Sequence, residues 1–288
     1  MLVSDVAATK IKEQGVITSS NEQTIANAFV VARRGALALS QYPGVPPRDL
    51  ETAYAIQALA VAAWPDRITG WKVGKIPDDQ VAALGAVRLA GPVFTRNVVM
   101  MTDDHPVAMA VFPGGFAAVE AEYVAVLGAI PVGKTRFTHA DAAALIMRLH
   151  YGIEIASSPL ASINADGSAV TVSDFGNNAG LVLGPEIPNW SESSYETAPV
   201  TVSLDDRLVG SGTGAAMMDG PVGAVRFLLE TAAERGLPLA EGMLISTGAV
   251  TGVHEASIGS TATATFGDTV RLSCRLVAAT PDARIAPP

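Results

Sequence analysis

From Pro106 onward the chain runs in long stretches of alternating apolar and polar residues: PVAMAVF, AAVEAEYVAVLG, APVTVSLDDRLVG, GMLISTGAV and STATATFGDTVRLSCRLVA. A two-residue period places successive side chains on opposite faces of an extended strand, so each run predicts a strand with one face turned to a core. Two helical segments interrupt the runs. THADAAALIMRLHYG has Thr138 and Asp141 placed as an N-cap and its third-position partner, and DGPVGAVRFLLETAAERG has Pro221 near its start and Gly236 at its stop. Many strands of antiparallel type with few helices between them predict a mixed α/β protein whose body is a β-roll or sandwich, not a parallel α/β sheet.

The first 75 residues read differently. Residues 22–34, EQTIANAFVVARR, form an amphipathic helix that stops at Gly35. A Pro-rich loop, QYPGVPPRD, leads to a second helix, LETAYAIQALAVAAW, which ends before Pro65. A short strand, ITGWKVG, follows. The organisation predicted is a small helical N-terminal part over 1–75 and a β-roll body over 76–288, with Ala279 to Pro288 as a loose tail.

Composition narrows the partners. The net charge is −9, and Arg33-Arg34 is the one adjacent basic pair, so neither nucleic acid nor an anionic membrane is expected as a partner. No stretch approaches the ~18 consecutive apolar residues of a membrane helix, and the first residues lack a signal-peptide core, so the expected location is cytoplasmic. Cys274 is the single cysteine, which excludes an intramolecular disulfide; its place in VRLSCRLVA reads as a buried small hydrophobe.

Residues 128–135, GAIPVGKT, fit the phosphate-binding pattern G-x-x-x-x-G-K-[ST]. A working cradle needs backbone amides in a tight turn and a helix opening at the Lys-Thr pair. Pro131 removes an amide, Val132 suits such a turn poorly, and the next helix begins only at Thr138, so the stretch reads as a surface loop. GSGTG at 210–214 follows a strand of antiparallel type and opens no helix, and reads as a tight turn or a close backbone approach. His105, His139, His150 and His254 show no metal-binding spacing; His139 and His150 read as a helix start and a helix end.

The carboxylates carry more. Glu120 and Glu122 are two apart on one strand, so both face the same way, and their neighbours are apolar on both sides. Paired carboxylates in low dielectric repel, and at least one protonates unless a cation lies between them. Glu154, in YGIEIASS after the next helix, is a third acid within an apolar run. Three converging carboxylates without His or Cys make an oxygen-only site suited to Mg²⁺ or Mn²⁺. Solvent-facing acids on a half-exposed strand fit the same pattern. Lys72 in TGWKVG has two readings as well: an ordinary exposed Lys, or a buried one with a lowered pKa beside the acids that moves protons.

In order along the chain, LETAYAIQ, GWKVG, VEAEYVAVLG, GIEIASS, FGNNAGLVLG and the stretch from GSGTG to STGAVTG resemble the fumarylacetoacetate hydrolase superfamily, and within it the 2-keto-4-pentenoate hydratase branch. The resemblance implies a β-roll enzyme that forms dimers or larger homo-oligomers and acts on a 2-oxo acid, in the breakdown of aromatic compounds. It carries the active-site lysine onto Lys72 and the three metal ligands, for Mg²⁺ or Mn²⁺, onto Glu120, Glu122 and Glu154. Asn178, Ala179, Thr247 and Gly248 then fall at the substrate pocket. The reaction implied is hydration of a 2-hydroxy-2,4-dienoate; acylpyruvate-type C–C hydrolysis, 2-oxo acid decarboxylation and a noncatalytic metal-binding role are the alternatives. The chain departs from the branch at RLAGPVF, which has no acid where the hydratases have an Asp. It departs again at Ser157-Ser158-Pro159, at Trp71 in place of Tyr, and at Asn177 in place of Asp.

Overall fold

The computed structural model describes residues 19–101 and 105–282. Its centre is an eight-stranded mixed sheet built around two long strands, β5 (Phe116–Leu127) and β6 (Ile146–Ser158), paired antiparallel. On one side of β5 follow β10 (Leu244–Ser246), β1 (Ile68–Lys75) and the edge strand β2 (Arg88–Phe94). On the other side of β6 lie β7 (Asn178–Glu186) and β3 (Val98–Met100), and the short β11 (His254–Glu255) also pairs with β5. β1 runs parallel to β10, so Lys72 sits beside Ser246.

A second, five-stranded sheet covers this one. Its order is β4 (Val107–Val111), β13 (Val270–Ala278), β12 (Thr261–Phe266), β8 (Val200–Leu204) and β9 (Arg207–Gly212). Along β12 buried residues alternate with half-buried ones, as the two-residue period predicts for a strand covered on one face. β5 is buried almost throughout because it is covered on both faces, and so reads as a nearly continuous apolar run. Phe266 joins the layers: its ring lies 5.6 Å from that of Tyr123 on β5 and 4.9 Å from that of Tyr151 on β6. Cys274 is buried on β13, as its neighbours predict.

Helices α1 (Ser19–Gly35) and α2 (Leu50–Ala63) pack together over a second cluster that includes Phe94, Phe116 and Phe175. Asp49 caps α2, its side chain accepting from the Thr52 amide at 2.7 Å. Further along come α3 (Asp78–Leu84), α4 (His139–Ala144), α5 (Ser168–Ser173) and α6 (Gly220–Arg235). Pro221 lies in the first turn of α6, and Gly236 closes it in the left-handed conformation. The sequence did not reveal α3 and α5, which are short and sit in loops.

The helix expected over THADAAALIMRLHYG is corrected. The Thr138–Asp141 capping box forms, but the helix ends at Ala144 and β6 begins at Ile146. Pairing of β6 with β5 and β7 on its two sides overrides the local helical pattern. His150 is therefore not a helix end; it is buried within the strand, its Nδ1 3.0 Å from the Gly184 carbonyl oxygen. GAIPVGKT forms an irregular connection after β5, with Val132 fully exposed. The tail is tied down as far as it is described: Ala279 N donates to Val111 O and Asp282 N to Arg34 O, each at 2.8 Å. Residues 283–288 lie outside the described residues.

One backbone contact fixes the geometry near the edge of the large sheet. A Cβ on Gly91 of β2 would stand 2.2 Å from the Phe175 carbonyl oxygen, and one on Gly176 would meet Gly91 Cα at 3.0 Å. The 175–177 turn therefore rests directly on β2. Gly91→Ala should destabilise the protein by about 1–3 kcal/mol, the usual cost of forcing extra volume into a packed site. Urea unfolding checks this; an unchanged midpoint would mean that the turn is free to move away from the strand.

Candidate metal centre

Glu120 and Glu122 point the same way from β5, and Glu154 is the register partner of Glu120 on β6. Cross-strand partners share a face, so pairing brings the third acid beside the first two. Relative exposures of 6%, 0% and 0% exclude the solvent-facing reading. One oxygen from each carboxylate lies within 4.8 Å of the others. Glu154 comes after the helix between β5 and β6 as expected, but it stands well inside β6 and not directly at a helix end.

The surrounding donors satisfy only part of this cluster. Ser246 Oγ donates to Glu122 Oε2 at 2.5 Å, and the Gly248 amide donates to the same oxygen at 2.9 Å. Asn178 Nδ2 donates to Glu154 Oε1 at 2.9 Å, and Lys72 Nζ lies 3.5 Å from that oxygen. Glu122 Oε1 and Glu154 Oε2 are buried without a partner. Orphaned carboxylate oxygens are costly in an apolar interior, and two of them converging with Glu120 match the hard, all-oxygen donor set of Mg²⁺ or Mn²⁺. The residues fit a divalent cation.

The same burial sets the protonation states of the metal-free protein. Burial raises the Glu120 carboxyl to about 7, with Lys72 opposing the rise and Glu154 adding to it. Burial, then the charges of Glu154 and Glu120, hold Glu122 well above the usual carboxylate range. Lys72 corrects the expectation of a lowered pKa. Its burial does favour the neutral amine, but the three carboxylates, Glu154 foremost, outweigh burial and hold it above its ordinary value.

A cavity of about 580 Å³ opens beside the cluster, with Lys72, Glu120, Asn177, Met217, Thr247 and Gly248 among the residues on its wall. Asn178 and Ala179, expected at the pocket, are not among those residues; Asn178 instead holds Glu154, and Asn177 takes a wall position. The Thr247 hydroxyl is already engaged, donating to Tyr123 O at 2.9 Å. None of His105, His139, His150 and His254 lines the cavity.

Sequence reasoning missed Ser246, whose role depends on β10 lying beside β5, and the support behind Asn178. Arg33 of α1 donates to Asp174 through Nε at 2.5 Å and Nη2 at 2.9 Å, to Asn178 O at 2.9 Å and to Ser157 O at 3.1 Å. Its guanidinium lies 5.0 Å from the Phe175 ring centroid and 5.2 Å from that of Phe112. These contacts hold Phe175, Gly176 and Asn177 at φ of 56°, 61° and 55°, a left-handed run costly for the two residues that are not glycine. The adjacent pair Arg33-Arg34 was the one signal available in the sequence, and spacing alone gave no partner for it.

No family model matches the chain. It is 29% identical to 2-keto-4-pentenoate hydratase 1 of Dechloromonas aromatica (strain RCB) over 216 residues, 70% of this chain and 76% of that protein. The identity and coverage are the same for 2-keto-4-pentenoate hydratase 2 of that strain. Among solved structures, 4-oxalocrotonate decarboxylase from Pseudomonas putida G7, complexed with magnesium and adipate, superposes with a TM-score of 0.73 at 20% identity, covering 89% of this chain and 97% of that one. Fumarylpyruvate hydrolase from Pseudomonas aeruginosa, in complex with Mn²⁺ and pyruvate, gives 0.52 at 16% identity, covering 75% of this chain and 91% of that one. The expected mixed α/β fold of this type is borne out.

Two predictions follow from the buried acids. Glu122→Gln keeps shape and removes charge; Mg²⁺ binding by calorimetry should disappear while the metal-free variant unfolds as cooperatively as the parent. Unchanged Mg²⁺ affinity would exclude Glu122 as a ligand. In the EDTA-treated protein, folded Glu120 and Glu122 retain protons that the unfolded chain releases near its ordinary value of 4.5. Their contribution to stability is therefore full below that pH and is lost as pH rises through about 7 for Glu120 and higher for Glu122. The unfolding temperature should fall between about pH 5 and pH 7, and Glu122→Gln should flatten the slope. Equal slopes in the two proteins would contradict the raised carboxyls.

Proposed function

The fold and both curated relatives support assignment of the chain to the fumarylacetoacetate hydrolase superfamily, and from that premise we propose a divalent-metal-dependent enzyme acting on a 2-oxo acid or its enol. We propose further that the reaction adds water to a 2-hydroxy-2,4-dienoate and yields a 4-hydroxy-2-oxo acid. The observation that carries this reading is the convergence of Glu120, Glu122, Glu154 and Lys72 beside one cavity, with two carboxylate oxygens left unpartnered.

A divalent cation held by the three glutamates would supply Lewis acidity toward the substrate's carboxylate and 2-oxygen, where negative charge grows during the reaction. Lys72, on the cavity wall, is the group proposed to move protons. The 2-hydroxyl proton leaves, a proton enters at C5, and the dienol becomes the conjugated ketone; water then adds its hydroxyl at C4 and its hydrogen at C3. Glu154 beside Lys72 holds the ammonium in place between transfers. Thr247 and Gly248 shape the wall, and Gly248 also orients Glu122 through its amide. Asn178 orients Glu154 rather than touching substrate, and Ala179 follows it at the start of β7. Val73, Leu89 and Val250 line the same cavity and exclude water from the substrate's carbon chain. A homo-oligomer is part of the proposal and is checked by light scattering.

One observation favours a second reading, loss of carbon dioxide. RLAGPVF contributes no acid, and no histidine lines the cavity, so groups able to activate water are few. Loss of a carboxylate conjugated with the 2-oxo group through a carbon–carbon double bond needs only that group as electron sink and one proton in its place, which Lys72 would deliver. C–C hydrolysis is disfavoured, because His105, the base it would use, is not among the residues lining the cavity.

Incubation with Mg²⁺ and 2-hydroxypenta-2,4-dienoate should remove the dienoate absorbance. Lys72→Ala should slow this by about 10²–10⁴-fold, the usual cost of a lost general acid/base. Equal rates would remove Lys72 from the mechanism. EDTA should abolish turnover and Mg²⁺ restore it; a protein that binds metal without turnover of any 2-oxo acid or dienol would be noncatalytic.

A further inference from the structure

A second cavity, of about 250 Å³, shares no wall residue with the one beside the acids; Arg33, Arg34, Trp64, Asp66 and Arg96 are among the residues that line it. Arg33 is matched by Asp174, which accepts from it twice. The other two arginines have no such match. Among the described residues no carboxylate lies within ion-pair distance of Arg34, and its Nε is buried without a hydrogen-bond partner. Arg96 is half-exposed, and its Nε stands 4.0 Å from Asp66 Oδ1, at the outer limit of an ion pair. Asp66 is already engaged by backbone groups: Oδ1 accepts from the Arg67 amide at 2.8 Å and Oδ2 from the Arg96 amide at 3.0 Å. Asp282 stands on the same wall, and its own amide donates to Arg34 O at 2.8 Å.

Like charges on one wall repel, and a buried N–H that lacks an acceptor loses the bond it had in water. An oxyanion between the two guanidiniums answers both demands. Each guanidinium presents its N–H groups in a planar fork that matches a carboxylate or phosphate group two bonds at a time. Trp64, Asn97 and Thr280 add neutral N–H and O–H donors to the wall. The volume is below the roughly 300–1,000 Å³ of pockets for drug-sized ligands, so it suits a small anion.

The 175–177 turn separates this cavity from the acidic centre. Phe175 meets two residues of the second cavity's wall, the Trp64 ring at 5.5 Å between centroids and the Arg33 guanidinium at 5.0 Å. Gly176 faces the other way: a Cβ on it would stand 3.3 Å from Lys72 Cδ. We infer that the cavity bordered by Arg34 and Arg96 is a binding site for a small oxyanion, a carboxylate or a phosphate group, distinct from the acidic centre. The site does not depend on which reaction that centre performs.

Two simple anions test the inference. The full chain, in Tris chloride without Mg²⁺, is titrated in a calorimeter with inorganic phosphate and, separately, with acetate. At least one of them should bind saturably at a single site, and the one that binds identifies the source of the oxyanion. Arg34→Met and Arg96→Met should each weaken that binding by about 10-fold or more, the value of hydrogen bonds to a charged group. Arg34→Lys, which keeps the charge without the fork, should keep part of the affinity. Glu122→Gln should bind the anion as the parent does. Absence of saturable binding of either anion overturns the inference, as does an undiminished affinity in both Arg→Met variants. Loss of binding in Glu122→Gln overturns it too, because it would place the anion at the acidic centre.

Discussion

Three carboxylates are buried where they must repel one another, and much of the fold serves to keep them there. At separations under 4.8 Å, each ionised pair costs about 3–4 kcal/mol even at an effective dielectric of about 20. A whole domain is stable by only about 5–15 kcal/mol, so three ionised acids without compensation would consume most of it. The donors of Ser246, Gly248 and Asn178 and the charge of Lys72 answer part of the demand. Proton uptake answers the rest when no cation is present, which is why Glu120 and Glu122 titrate so far above the ordinary range. A divalent cation meets the same demand without protons, so metal affinity and pH-dependent stability are two expressions of one constraint.

The constraint reaches into the N-terminal helices. Asn178 can hold Glu154 only if the turn before it keeps three successive left-handed residues, and Arg33 supplies the contacts that keep it so. Arg33 and Asp174 are both buried. A buried ion pair adds little net stability, yet loss of one partner strands the other at a cost of about 3–5 kcal/mol. The pair is best understood as fixing a conformation: it ties α1 to the turn that borders the cavity, and Gly91 on β2 supports that turn from the opposite side.

What could be read in the sequence follows the range over which each signal acts. Period-two runs marked the strands, and local chemistry marked the caps at Thr138, Pro221 and Gly236, because neighbours in sequence decide both. Glu120 and Glu122 were legible as a pair for the same reason. The β6 segment was misread because its first half, ALIMRLHYG, has helical spacing, and only pairing on both sides makes it a strand. Its correct assignment shows why Glu154 belongs to the site at all: it is the cross-strand partner of Glu120. Ser246, Arg33 and Asp174 could not have been found, since each meets its partner across more than a hundred residues and no local pattern marks such contacts. The structure sets Lys72 beside the acids, while its pKa direction needed all three charges in space. GSGTG shows the limit from the other side. Its glycines serve close packing, since a Cβ on Gly212 would stand 2.3 Å from Val250 O, and the pattern alone could not say what approaches.

The placement of residues within the large sheet separates two tasks. The acids stand on β5 and β6, central strands paired on both sides, where a one-residue slip would turn every side chain to the opposite face. The mutual placement of the three acids there is fixed by register. Among the described residues β2 is an edge strand, paired with β1 alone, and its first residue is Arg88. β2 is nonetheless buried along its whole length and rests against the 175–177 turn at Gly91, so packing holds its side chains where a second ladder does not. It still reaches the cavity, whose wall also includes Lys72 and Lys75 of β1. A sheet organised in this way holds the buried acids by register in its middle and meets the cavity again at its margin, where side-chain packing decides what is placed. The missing acid of RLAGPVF and the cation that opens the segment lie at that margin.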